Sequence, residues 1–247
     1  MQFFVKNSLD EKIKCGAQFS ETFLQMREAK DVKVISFVNP FSYFKLLNLS
    51  SLTREIDVFF SDGSLLCLFH GFFCKQKVKR ASFDYSSIAG EVLDYSVREH
   101  LKIAIVGATQ EELEGAIVHL KAQHEGLDVV YSRNGYFLNS EDMLSSIDAL
   151  STSQADLLLI GMGTPYQEEY AALLKRHCKK TLVALTCGGF LTQTSMRPDY
   201  YYPIVKKLGV RWLQRMVMHR HVRERVIKDY PKFVFHYIKD KLFRERT

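Results

Sequence analysis

The run Gly161-Met162-Gly163-Thr164-Pro165-Tyr166-Gln167-Glu168 follows an apolar stretch over residues 156–160. Glycines two residues apart let a backbone approach a phosphate or ribose closely, and the free N–H groups of a following helix can face an anion. Pro165 pre-sets the turn, and Gln167 and Glu168 place polar side chains in the first helical turn. The same features also describe an ordinary capped strand-to-helix turn. No Gly-Lys-Ser/Thr follows, so this is not a Walker A loop, and GxGxxG does not occur in the chain. Gly107-Ala108-Thr109 is a poor dinucleotide fingerprint, although Asp128 stands about 20 residues on. A carboxylate, Asp62, sits in the loop Ser61-Asp62-Gly63, where its plain alternative is a turn aspartate.

Metal chemistry has little support. The five cysteines are scattered and form no CxxC pair, so reduced thiols are expected rather than a disulfide framework or a zinc site. No DxD is present to clamp a metal–diphosphate, and the His219–His221 pair lies among arginines that would repel a cation. The expectation is that neither a metal nor another cofactor is required.

The elements that must position these residues alternate between strand and helix patterns. Strands are predicted over 32–38, 56–60, 101–107, 128–132, 156–163 and 181–189, and helices over 109–124, 140–149 and 167–178. Strand, glycine-bearing loop and helix repeat three times between Leu101 and Gly189. The expected fold is α/β and Rossmann-like, with a mostly parallel sheet whose ligands lie beyond the carboxyl ends of the strands. Past Gly209 the pattern becomes helical, basic and aromatic, with Pro231 expected to break it.

Charge is unevenly spread. Residues 206–247 hold 13 Lys and Arg against 4 Asp and Glu, a net of +9, which leaves −3 for the first 205 of the 247 residues. The reading is an α/β core over 1–205 with a basic amphipathic appendage over 206–247. Trp212, Tyr230, Phe233, Phe235, Tyr237 and Phe243 interleave with the cations, as in a segment lying at headgroup level on an anionic membrane. The plain alternative is a terminal helix with Leu213, Met216 and Val217 as core contacts. No motif for reading a nucleic-acid groove or base accompanies the charge, so nucleic acid is not expected as a partner. No apolar run reaches the roughly 20 residues of a membrane span, and the first residues carry no signal core.

Several motifs in order resemble the WecG/TagA/CpsF family of glycosyltransferases. Gly163 to Glu168 matches its G-x-P-x-Q-E, Gly135-Tyr136-Phe137 its G-Y-F, and Gly209 to Arg215 its G-(V/L)-x-W-x-x-R. Upstream, Val34 to Asn39 resembles its V-x-x-x-N strand, Asp62-Gly63 its D-G, and Arg80 to Asp84 its R-x-x-G-x-D, with Phe83 in place of the glycine. Phe37 stands where many members have threonine, and G-G-x-F-D appears as Gly188-Gly189-Phe190-Leu191-Thr192. The resemblance covers residues 30 to 230.

It implies an inverting transferase that moves a sugar, N-acetylmannosamine in the most similar members, from a UDP-sugar to polyprenyl-diphosphate-linked N-acetylglucosamine in bacterial surface-glycan biosynthesis. Asp62 would be the base that removes the acceptor's proton. Asn39, Arg80 and Asp84 would serve the acceptor, within an acceptor side over 1–98. Gly107, Gly135, Tyr136, Gly161, Gly163, Pro165, Gln167 and Glu168 would serve the UDP-sugar, within a donor side over 99–205. Arg211, Arg215, Arg220 and Arg223 would meet diphosphates and the membrane, since guanidinium groups bind phosphate bidentately. The expected location is cytoplasmic, peripheral on the inner face of the cytoplasmic membrane, with a homo-oligomer left open. Two other readings stay open at this stage: a non-catalytic nucleotide-sugar-binding protein of a membrane assembly, and an NAD-dependent oxidoreductase, which the absent GxGxxG disfavours.

Overall fold

The computed structural model describes residues 6–196, 217 and 220–243. Seven strands form one sheet: β1 (Ile13–Lys14), β2 (Val32–Val38), β3 (Val58–Ser61), β4 (Lys102–Gly107), β5 (Asp128–Arg133), β6 (Leu157–Gly161) and β7 (Leu182–Thr186). Their order is β1-β3-β2-β7-β6-β4-β5, and every pairing is parallel. The fold is the expected Rossmann-like α/β arrangement. The described helices are α1 (Phe19–Arg27), α2 (Tyr43–Asn48), α3 (Ser50–Glu55), α4 (Ser64–Cys74), α5 (Ala89–Arg98), α6 (Gln110–Gln123), α7 (Ser140–Thr152), α8 (Tyr166–His177), α9 (Phe190–Met196) and α10 (Arg220–Phe243).

Near-continuous apolar runs make strands β2, β4, β6 and β7 because both faces of the sheet are covered there. Ile103, Ile105, Leu157, Leu159, Val183 and Leu185 belong to one buried layer. Their neighbours Ala104, Val106, Leu158, Ile160, Leu182 and Ala184 belong to the other. That two-residue alternation is the pleat itself. Each fully buried aliphatic side chain contributes roughly 1.5–3 kcal/mol, so a one-residue slip of register would be costly.

Local signals end the elements where the site needs loops. Thr109 caps α6 in a reciprocal box: its Oγ1 accepts from the Glu112 N–H at 3.2 Å, while Glu112 Oε2 accepts from the Thr109 N–H at 3.1 Å. Asn139 caps α7 by accepting from the Asp142 N–H at 2.9 Å. Gly107 ends β4 against the end of β6, where a Cβ would run into the Gly161 carbonyl.

Helix α10 corrects one expectation, because it runs through Pro231 without ending there. Proline removes one backbone donor and crowds the preceding turn, and tertiary packing can offset that. Phe233 and Tyr237 are buried and pack edge-on against Tyr43, Phe69 and Phe73. Beneath the same helix, Lys241 forms a buried ion pair with Asp10, which also accepts a 2.6 Å hydrogen bond from the Tyr43 hydroxyl.

Candidate active site

Strands β2 and β7 are neighbours whose outgoing connections diverge, β2 toward β3 and β7 through α9, which packs on α6. Such a switch point opens a crevice at the carboxyl edge of a parallel sheet. A cleft of about 420 Å³ lies there, walled by the loops after β2, β3, β6 and β7.

One corner is acidic. Asp62 follows β3 directly, its N–H still donating to the Val38 carbonyl at 2.8 Å, and its side chain is 28% exposed in the cleft. Arg80 Nη2 donates to Asp62 Oδ1 at 2.9 Å and to Asp84 Oδ2 at 2.8 Å. Asp84 also accepts from Ser82 Oγ at 2.6 Å, from the Ser86 N–H at 2.8 Å and from the Ser86 hydroxyl. Burial would push the Asp84 carboxyl up, but Arg80 and the two serines hold it below its ordinary value. Burial likewise favours the neutral form of Arg80, and the two aspartates outweigh it, so the guanidinium is held above its ordinary value. Asp84 is therefore saturated with donors and fixes Arg80, while Asp62 presents a carboxylate to the cleft.

The opposite wall is built from two glycine loops. Gly163 and Gly188 have φ of 76° and 53°, left-handed values that favour glycine, and open space lies where their side chains would be. Gln167 ties them together, its Oε1 accepting from the Gly163 N–H and the Gly188 N–H, each at 3.2 Å. Its amide nitrogen donates to Glu168 Oε1 at 2.9 Å. Glu168 is wholly buried beneath this wall, also accepting from Ser36 Oγ at 2.8 Å and Thr164 Oγ1 at 3.3 Å, while its Oε2 has no partner. Burial pushes this carboxyl up to about 7, against the pull of Gln167, Ser36 and Thr164.

The sequence-predicted residues fall into three groups. Asn39, Asp62, Asp84, Gly163 and Gln167 line the cleft; Arg80 and Glu168 bond to residues that do. Asn39 also organises its own turn, its Oδ1 accepting from the N–H groups of Phe41 and Ser42 at 3.0 Å each. Gly107, Gly135 and Gly161 form a tight backbone cluster around Met162, which does line the cleft; a Cβ on Gly135 would come within 2.8 Å of Met162 Cγ. Pro165 immediately precedes α8, and Tyr136 is exposed beside the cluster. Arg223 lies exposed on α10, and Arg220 begins that helix. Arg211, Arg215, Trp212 and His219 lie outside the described residues.

The sequence marks Gly188 as part of the G-G-x-F-D run without giving it a role in the site. Sequence reasoning passed over Lys45, one turn into α2, whose ammonium sits 4.0 Å from the centre of the Phe41 ring at the cleft wall. No motif marks that lysine. The departures from the family pattern have packing partners: Phe83 meets Phe190 edge-on at 5.1 Å, and Leu191 is buried against Gly161. Phe37 packs with Phe19 and Phe60 at the cleft floor. Among the described residues, the group able to ligate a metal is Asp10, His70 and Cys74, which belongs to the region under α10 and not to the cleft.

With this geometry in hand, comparison with known proteins is informative. A family model described as "Glycosyl transferase WecG/TagA/CpsF family" matches residues 10–247. A Shigella boydii protein, UDP-Gal:alpha-D-GlcNAc-diphosphoundecaprenol beta-1,4-galactosyltransferase, is 41% identical over 211 residues, covering 85% of this chain and 88% of the relative. An N-acetylglucosaminyldiphosphoundecaprenol N-acetyl-beta-D-mannosaminyltransferase of Staphylococcus aureus (strain MW2) is 26% identical over 128 residues, covering 52% of this chain and 49% of the relative.

Proposed function

The chain belongs to the WecG/TagA/CpsF family and is a glycosyltransferase; from that premise we propose that it transfers a hexose from a UDP donor to a polyprenyl-diphosphate-linked N-acetylglucosamine. The oxidoreductase and non-catalytic readings fall away with that membership. The single observation that carries the proposal is the cleft itself, where Asp62 faces the open glycine loops Gly163 and Gly188 across one switch-point crevice. A base and a donor platform on opposite walls are what a direct displacement at a sugar carbon requires.

In this mechanism Asp62 takes the proton from an acceptor hydroxyl as that oxygen bonds to C1 of the donor sugar. The bond from C1 to the diphosphate breaks, UDP leaves with the electron pair, and attack from the opposite face inverts C1. Arg80 holds Asp62 in place, and Asp84 holds Arg80. The amides of Gly163 and Gly188 are engaged by Gln167, so the leaving diphosphate needs cations from elsewhere. Lys45 is the cation lining the cleft among the described residues, and Arg211, Arg215, Arg220 and Arg223 are the others we assign to diphosphates.

Galactose and N-acetylmannosamine differ at C2 and C4. The relative aligned over 85% of the chain is named for galactose, which favours it as the sugar transferred here over the N-acetylmannosamine of the shorter alignment. The acceptor is lipid-linked, and among the described residues no helix is long and apolar enough to cross a membrane. Attachment to the inner face of the cytoplasmic membrane through the basic C-terminal segment completes the reading. The test offers UDP-galactose and UDP-N-acetylmannosamine separately to the protein with a short-chain GlcNAc-diphosphate acceptor. Asp62→Asn should lower transfer by about 10²–10⁴-fold with little change in UDP affinity. Undiminished turnover by Asp62→Asn would remove the base from this carboxylate, and product from neither donor would remove the substrate assignment.

A further inference from the structure

Helix α4 begins two residues after Asp62, at the rim of the cleft, and its face is unusual for a soluble helix. Leu66, His70 and Phe73 are buried, and Phe69 and Phe73 meet Phe233 and Tyr237 of α10. At 100° per residue, Leu65, Phe72 and Leu68 follow Phe69 outward round the helix on the side of α10. Leu68 and Phe72 are 67% and 71% exposed. Phe72 and Leu68 have the size of anchoring side chains, yet they have been left in water beside a site whose proposed acceptor is a lipid.

The same rotation applied to α10 extends this surface. Phe44 of α2 touches Phe233 and His236 on one flank of α10, and α4 touches Phe233 and Tyr237 on the other. Val234, Ile238, Ile227 and Leu242 continue past Tyr237 on the α4 flank, and Ile227 and Leu242 are exposed. An apolar strip thus spans both helices. Exposed lysines border it: Lys75, Lys77 and Lys79 where α4 ends, and Lys228, Lys232 and Lys239 along the next face of α10. Apolar side chains ringed by ammonium groups on long stems suit an acyl–headgroup boundary carrying negative charge.

We infer that the α4–α10 strip is the face by which this protein seats on an anionic bilayer, with Leu68 and Phe72 entering the lipid and the lysines meeting the headgroups. The inference rests on the proposed lipid-linked acceptor and extends the membrane contact from the basic C-terminal segment, of which α10 is part, onto the exposed face of α4. Helix α4 starts two residues after Asp62, so a bilayer at α4 would present the diphosphate of a membrane-anchored acceptor beside the cleft.

The test compares the parent with a Leu68→Ser and Phe72→Ser double variant in three measurements. Sedimentation with vesicles of phosphatidylglycerol and phosphatidylethanolamine should show vesicle affinity falling by about tenfold or more. Transfer to the short, water-soluble acceptor should stay at the parent rate, because neither side chain is in the cleft, and this also shows that the variant folds. A Leu68→Trp variant should shift its emission to the blue on adding the same vesicles by more than the parent, whose own Trp212 reports the C-terminal segment. Equal vesicle affinity of parent and double variant, or a Leu68→Trp shift no larger than the parent's, overturns the inference. So does a double variant that changes oligomeric state in sedimentation velocity while holding the vesicles as before, since the strip would then face a second copy. A parent without transfer to the soluble acceptor counts against the proposed function alone, because vesicle binding reads the strip independently.

Discussion

Asp10 beneath α10 and Glu168 beneath the cleft are both wholly inaccessible carboxylates, and their surroundings differ. Asp10 has a cation, Lys241, together with Tyr43, the Asn7 N–H at 2.9 Å and the His70 ring, whose Nδ1 is 3.5 Å away. Glu168 has only neutral donors, all on one oxygen. Burial pushes both upward, but His70, Lys241 and Tyr43 bring Asp10 down to about 2, while Glu168 rises to about 7. Hydrogen bonds from hydroxyls and an amide soften the desolvation of Glu168; at Asp10 the His70 ring and the buried Lys241 together reverse it. The region under α10 is therefore arranged to keep a charge, and the region under the cleft to keep a proton near neutrality.

The largest expected effect comes from removing that cation. Lys241→Met would leave Asp10 charged and buried, at a cost of about 3–5 kcal/mol in urea unfolding at pH 7. The double variant Asp10→Asn with Lys241→Met should recover most of the loss, because neither residue is then an unpaired charge. If the single and double variants are equally unstable, Lys241 acts there through its packing alone and the contrast with Glu168 disappears.

The second effect carries the opposite pH signature. Asp10 is depressed below its unfolded value of 3.8, so its contribution is present above that pH and is lost as pH falls toward 2. Glu168 is raised above 4.5, so folding is most favoured below 4.5 and loses stability as pH rises through 7. Over that window the loss is about 3 kcal/mol. Glu168→Gln imitates the protonated form, so its stability relative to the parent should climb between pH 4.5 and 7 and then level off. All other titrations are shared and cancel in the difference. A difference that stays flat with pH would mean that Glu168 ionises inside the protein without penalty.

Legibility in the sequence follows the same division. The apolar runs at 32–38 and 101–107 coincide with β2 and β4, and the run predicted over 156–163 contains β6, which ends two residues sooner at Gly161, because strand and core are both short-range patterns. Thr109 with Glu112 marks the start of α6 for the same reason. Asp62 and Gly163 were found through motifs, and the fold brings them to facing walls of one cleft. The Asp10–Lys241 pair joins residues 231 positions apart, and nothing near either one announces the other. Arg80 and Asp84 are four apart but in a loop, so helical spacing gives no hint that one guanidinium bridges Asp84 and Asp62. Pro231 reads as a break on local grounds, while the long-range packing of Phe233 and Tyr237 on Tyr43, Phe69 and Phe73 holds the helix just beyond it. The exposed face of α4 was equally hidden, since Leu65 to Cys74 is apolar nearly all round, with His70 the polar exception, and shows little period.

The smallest expected effect lies at the join between the clamp and the buried carboxyl. Gln167 accepts from both glycine amides through Oε1 and donates to Glu168 through Nε2, so it couples the cleft wall to the proton beneath it. Gln167→Leu strips both functions: two amides lose their acceptor, which costs about 1–3 kcal/mol, and Glu168 loses a donor that favours its charged form. Gln167→Glu separates them. An oxygen still accepts from the Gly163 and Gly188 N–H groups, but the donor to Glu168 is gone and a second carboxyl stands beside it. The leucine variant should raise the KM for the UDP donor, since the loops are no longer held to each other. The glutamate variant should keep the parent's KM at a pH where only one of the two carboxyls is ionised, and should move the Glu168 transition further up. If both variants leave KM and the pH dependence of stability at parent values, the cleft wall is held by its own backbone, and the two regions differ only in charge.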